Sequence, residues 1–229
     1  MSISLDEAVE LTRTGDVWVF RGRSVPDRAI QFTTNSPVNH VGMAVVLDDM
    51  PPLMWHAELG RSLPDMWAGT HQRGVQLHDL RDAVCVWANR YGQRAWLRQL
   101  EPPADAAMED AVLRTVARLD GTPFPSTAQL AWRWLRGRAP VVRRPVVRRP
   151  GARRVAASRE DGGVGVRDRA LETAYCAEVV AVTYEAMGLL PAGRRPNWYD
   201  PGRFWSGDDL GLTGGAQLGA EIEVRVPHR

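Results

Sequence analysis

Lysine is absent from this chain: all 29 basic residues among its 229 are arginine. We read that first as a habit of the coding genome, not as a device of the protein. Uninterrupted runs of about eighteen apolar residues are also missing, which excludes a membrane-spanning helix. The opening residues, Met1-Ser2-Ile3-Ser4-Leu5-Asp6-Glu7, lack the basic and apolar regions of an export signal, so a cytoplasmic protein is expected. Only two cysteines occur, Cys85 and Cys176. Two in a chain of this length make no disulfide framework and point to a reducing compartment. Neither CxxC nor HExxH occurs, so zinc is disfavoured. The run Gly162-Gly163-Val164-Gly165 has no strand before it and reads as linker, not phosphate loop.

Charge is present but unevenly spread. Ten Arg and no acid lie between Arg133 and Arg159; with those set aside, 19 of the 29 Arg stand against 27 acids, a balance of −8. The body is acidic and one segment is strongly basic. That segment contains Pro140-Val141-Val142-Arg143-Arg144, repeated at once as Pro145-Val146-Val147-Arg148-Arg149. Proline and unbalanced charge oppose a packed structure, so residues 137 to 168 are expected to be a disordered or extended insertion in a single domain spanning 1–229. Such a segment offers contacts to an anionic surface or to nucleic acid, or is only a solvated linker.

The remainder divides into a β-rich half and a helical half. Ser4-Leu5-Asp6-Glu7 is a capping-box pattern that opens a short helix to about Thr12. Strands are expected at Val17 to Phe20, His40 to Leu47, Leu53 to Leu59, Gly74 to Leu80 and Ala83 to Ala88, read together as an antiparallel meander. The face carrying Met108, Val112, Val116 and Leu119 predicts a helix over 105–119, and Ser126-Thr127-Ala128-Gln129 opens another through Leu135. Pro196 to Gly207 forms an aromatic-rich loop, and Ala220 to Val226 alternates as a last strand. The fold class is therefore α+β, with an antiparallel meander packed against helices.

A fourth helix carries a thiol. Thr173 can cap it, Cys176, Val179/Val180, Thr183/Tyr184 and Met187 share a stripe, and Gly188 with Pro191 stops it. A helix N-terminus lowers a thiol's pKa, so Cys176 stands where a nucleophile would; the plainer reading is a buried structural cysteine. Cys85, in an apolar run, reads as packing. His40 begins one expected strand and His56 lies in the next, while alternation puts Met54, His56 and Glu58 on one face and Trp55, Ala57 and Leu59 on the other. Adjacent strands bring such imidazoles within reach of each other. A helix crossing that face would set Cys176 against His40, the thiol and base that nucleophilic catalysis requires. His71, His78 and His228 have no comparable context.

At these residues the chain resembles a known family. His40-Val41-Gly42-Met43-Ala44-Val45 followed by Met54-Trp55-His56-Ala57 is similar to the histidine block of NlpC-type papain-like cysteine peptidases. The cysteine segment Tyr175-Cys176-Ala177-Glu178-Val179-Val180 follows that block, the order of the circularly permuted branch of YiiX-like and LRAT-like (lecithin:retinol acyltransferase) proteins. Gly15-Asp16-Val17-Trp18-Val19-Phe20, Gly74-Val75, Gly121-Thr122-Pro123-Phe124 and Asp200-Pro201-Gly202 add YiiX-like features. The resemblance implies a permuted papain-like fold with Cys176 as nucleophile, His40 as general base and His56 as the residue orienting it. Glu58, two residues on, is the alternative for that last role, since YiiX-like proteins often carry Glu at this site. It further implies a thiol hydrolase or acyltransferase that needs no metal or cofactor and acts through a thioester on a peptide, cell-wall amide or lipid ester. The alternatives from other classes are a catalytically silent binding module of the same fold and a binder of nucleic acid through the Arg-rich segment.

Overall fold

The computed structural model describes residues 1–22, 37–123, 164–193, 198–205 and 210–227, with side chains of the helix that begins at 164 described from 175 onward. The expected helix from Ser126, the Arg133 to Arg159 segment and His228 lie outside the described residues.

The chain opens with β1 (Ser2–Ser4) and α1 (Leu5–Leu11), where the Ser4 hydroxyl accepts from Glu7 N–H as the capping pattern predicts. Then come β2 (Val17–Arg21), β3 (His40–Val45), β4 (Leu53–Glu58) and β5 (Gly74–Asp79), α2 (Leu80–Tyr91), β6 (Arg94–Arg98), β7 (Leu100–Glu101) and α3 (Ala106–Leu119). The described remainder holds α4 (Val164–Ala186), a 3-10 turn (Pro201–Phe204), β8 (Gln217–Leu218) and β9 (Ile222–Arg225). Seven strands form one sheet in the order β1-β9-β6-β2-β3-β4-β5, with β7 and β8 paired separately. Only the β1–β9 pairing is parallel in that sheet, and β2 to β5 form the expected consecutive antiparallel meander. The class is α+β.

Three expectations are corrected. Residues 83–88 are helical, because Leu80, Ala83, Val84 and Trp87 recur at helical spacing, Asp79 caps Asp82 N–H, and Gly92 ends the helix at φ 63°. Strand β6, which completes the sheet's centre, had no counterpart among the expected strands. Helix α4 begins at Val164, so the insertion expected to reach residue 168 ends sooner and Thr173 lies inside the helix, not at its cap.

Strand alternation separates two apolar layers. Val17 and Val19, Val41, Met43 and Val45, Trp55 and Ala57, and Val75 and Leu77 face α4 and α3. Trp18 and Phe20, Ala44, Met54, Ala95 and Leu97 face α1 and α2. Polar stitches fix α4 to its layer: Trp55 Nε1–H donates to Thr183 Oγ1 at 3.0 Å, and Tyr184 O–H donates to the Gly15 carbonyl at 2.6 Å.

Candidate functional site

The second layer is not uniformly apolar. Where β3, β4 and β5 run side by side, their residues facing α2 are His40, Gly42 and Ala44, then Met54, His56 and Glu58, then Gln76 and His78. Pairing of β4 with β5 sets Met54 opposite His78 and His56 opposite Gln76. Diagonal neighbours on one sheet face lie within reach of long side chains. Gly42 makes the room, because a Cβ there would meet Met54 Sδ at 2.3 Å and stand 3.5 Å from His56 Cβ.

The result is a row of three imidazoles. His40 Nε2 lies 3.3 Å from His56 Nδ1, and His56 Nε2 lies 3.0 Å from His78 Nδ1. Helix α2 roofs the row with Trp87, whose ring meets those of His40 at 4.4 Å and His56 at 4.8 Å, both edge-on. Glu58 closes the β4 end, accepting from Ser62 N–H at 3.3 Å and from the Ser62 hydroxyl. His56 and His78 are fully buried, and His40 and Glu58 nearly so.

Burial decides the charge states. It pushes His40 down to about 3 and His78 down to about 4, and holds His56 well below the usual imidazole range. A positive charge on one ring would further oppose charge on its neighbours, while Asp65 works the other way on His78. All three rings are neutral at pH 7, the form that binds metal. Burial raises the Glu58 carboxyl, against hydrogen bonds from Ser62 and the Trp87 side chain that favour the anion.

Neutral rings in a row must share protons in one direction. Either His78 donates to His56 and His56 to His40, or the sense is reversed. The buried His78 Nε2 makes no full hydrogen bond, yet the Leu63 backbone carbonyl acts on that ring and favours a proton on it, so an N–H there is not stranded and both senses are open.

Of the residues singled out from the sequence, His40, His56 and Glu58 share this face. Cys176 does not. It is fully buried, twelve residues into α4, and packs in the layer that contains Val41, Met43 and Trp55, the opposite face of the sheet. The helix expected to cross the imidazole face crosses the other one, because the apolar parity of β3 and β4 faces α4. Cys85 sits half-buried on α2 beside the second layer.

His78 was passed over in the sequence, although the β5 alternation Gln76/His78 against Met54/His56 carried the signal. Donor atoms of His56, Glu58 and His78 all lie within 4.8 Å of one another, close enough that the three could hold one metal ion. The expectation of no metal rested on motifs local in sequence, and strand pairing assembles donors those motifs cannot register.

A comparison with solved structures finds similarity to the metalloprotein YiiX of Escherichia coli O157:H7, at 18% identity and a TM-score of 0.43 over 76% of this chain. The chain spans 65% of that protein's length. No family model and no curated protein matches the chain. Among the described residues, no helix is long and apolar enough to cross a membrane.

Proposed function

We propose that this protein is a metal-binding module whose divalent ion is held by His56, Glu58 and His78. The observation that carries the reading is the mutual approach of those three donors within 4.8 Å on a closed sheet face. Two imidazoles and one carboxylate suit zinc and its transition-metal neighbours. His56 has Nε2 for the ion because Nδ1 is engaged with His40. With the ion on His56 Nε2 and His78 Nδ1, each neutral ring would keep its proton on the other nitrogen, His56 on Nδ1 toward His40 and His78 on Nε2 where the Leu63 carbonyl favours it, and the two ligating nitrogens would separate from 3.0 Å to roughly 3.3 Å, as tetrahedral bonds of about 2.0 Å require. Trp87 and α2 keep solvent away, so the ion stabilises the fold more than it turns over substrate. Titrating metal-free protein with zinc by calorimetry tests this. One ion should bind per chain, with affinity falling roughly tenfold or more in Glu58→Gln and in His78→Ala. No saturable binding, or binding indifferent to both changes, ends the proposal.

A second reading is the thiol hydrolase or acyltransferase of a permuted papain-like fold, with Cys176, His40 and His56 in its triad. The His40–His56 contact at 3.3 Å favours it, since a base and its orienting group should touch. It further requires Cys176 on the imidazole side of the sheet. A thiol-reactive probe separates the two: selective labelling of Cys176 over Cys85, lost in His40→Ala, supports the thiol reading, and sluggish labelling of Cys176 removes it.

A further inference from the structure

The loop from Leu59 to Arg73, between β4 and β5, is clamped from within. Buried Asp65 accepts through Oδ2 from the N–H groups of Trp67 at 3.0 Å and Ala68 at 2.6 Å, and through Oδ1 from Leu77 N–H at 2.9 Å. Its backbone N–H donates to the Thr70 carbonyl at 3.0 Å, Gly69 N–H donates to the Asp65 carbonyl at 2.9 Å, and Met66 N–H donates to the Leu77 carbonyl at 2.8 Å. Every one of these bonds fixes the turn's shape, yet its largest apolar side chains point outward: Trp67 is 73% exposed and Met66 44%.

Within the loop itself the exposed formal charges are of one sign: Arg61 and Arg73 are exposed, and the loop's single carboxylate, Asp65, is buried and engaged. Arg90 of α2 donates to the Arg61 carbonyl at 3.2 Å and adds a further exposed cation nearby. Two side chains projecting from one turn fall far short of the ~800 Å² per partner that a stable protein interface buries. They match instead what inserts at a lipid–water boundary, an indole with a flexible apolar neighbour ringed by cations.

We propose that this loop docks on anionic lipid. Trp67 and Met66 enter the boundary between headgroups and acyl chains, and Arg61 and Arg90 face the lipid phosphates. The inference is independent of the metal reading, although Ser62 at the loop's base is bonded to Glu58. Co-sedimentation of the full chain with phosphatidylcholine vesicles, with and without phosphatidylserine, tests it. Binding should require phosphatidylserine, weaken with salt, drop roughly fivefold for each cation removed in Arg61→Ala and Arg90→Ala, and drop further in Trp67→Ala. Because Arg133 to Arg159 could hold anionic lipid by charge alone, Trp67→Ala is the decisive variant, its fold checked by circular dichroism. Vesicle binding retained in Trp67→Ala overturns the proposal, as does wild-type protein that stays in the supernatant.

Discussion

The two faces of the central sheet are made by the same strands and differ in kind. Toward α4 the residues of β3, β4 and β5 are Val41, Met43, Trp55, Ala57, Val75 and Leu77, and Cys176 is one more apolar filling among them. Toward α2 the alternate residues of those strands include His40, His56, Glu58, Gln76 and His78, equally buried and polar. Burying polar groups costs free energy unless partners are supplied. Hydrophobic burial with a few satisfied hydrogen bonds accounts for the first face; the second carries a larger polar cost. The contrast supports placing the proposed metal site on the side away from the cysteine.

Acid should break the comparison most severely. Folded imidazoles held below their usual range leave the unfolded chain to take up protons first, so the rings' contribution to stability is full above about pH 6.5 and declines as pH falls toward the depressed values of His78 and His40, while the raised carboxyls of Asp16 and Glu58 pull the other way. Each ring contributes up to about 1.4 kcal/mol per pH unit in that window. Urea denaturation of metal-free protein from pH 7 to 4.5 should show the loss, with a smaller slope in His78→Phe. Unroofing the row comes next: Trp87→Ala should cost about 3–5 kcal/mol, measured in the same way, because a large buried ring is removed from over three others.

His40→Leu should have a smaller effect, weakening zinc binding roughly 10- to 100-fold by removing the acceptor that keeps the His56 proton on Nδ1. His40→Gln, which retains an acceptor, should recover most of it, and nitrogen chemical shifts of His56 report the tautomer directly. Least of all, Cys176→Ala should cost about 1 kcal/mol in stability and leave metal affinity unchanged, as calorimetry can check. A large loss of zinc affinity there would mean that the two faces are coupled.

Much of this was legible in residue order. The β-rich runs gave the meander, period-two alternation gave the shared face of Met54, His56 and Glu58, and Ser4 and Asp105 mark helix starts where their side chains cap. What failed was long-range. A helical stripe in α4 says which residues are buried but not which side of a sheet receives them, and that choice separates Cys176 from His40. Thr173 was a plausible cap only locally, since a cap contributes about 1 kcal/mol and an extended helix overrides it. His78 is isolated in the sequence because its neighbours are set by the β4–β5 register, which pairs it with Met54, far back in the chain.

Strands that answer to two such different surroundings carry a built-in proofreader. If β4 slid by a single residue against its partners, Trp55 and His56 would trade sides. An imidazole would enter hydrocarbon while an indole crowded the remaining rings. Misaligned pairings are thus penalised twice over, and the correct alignment of the meander is enforced by the very residues that make one of its surfaces chemically interesting.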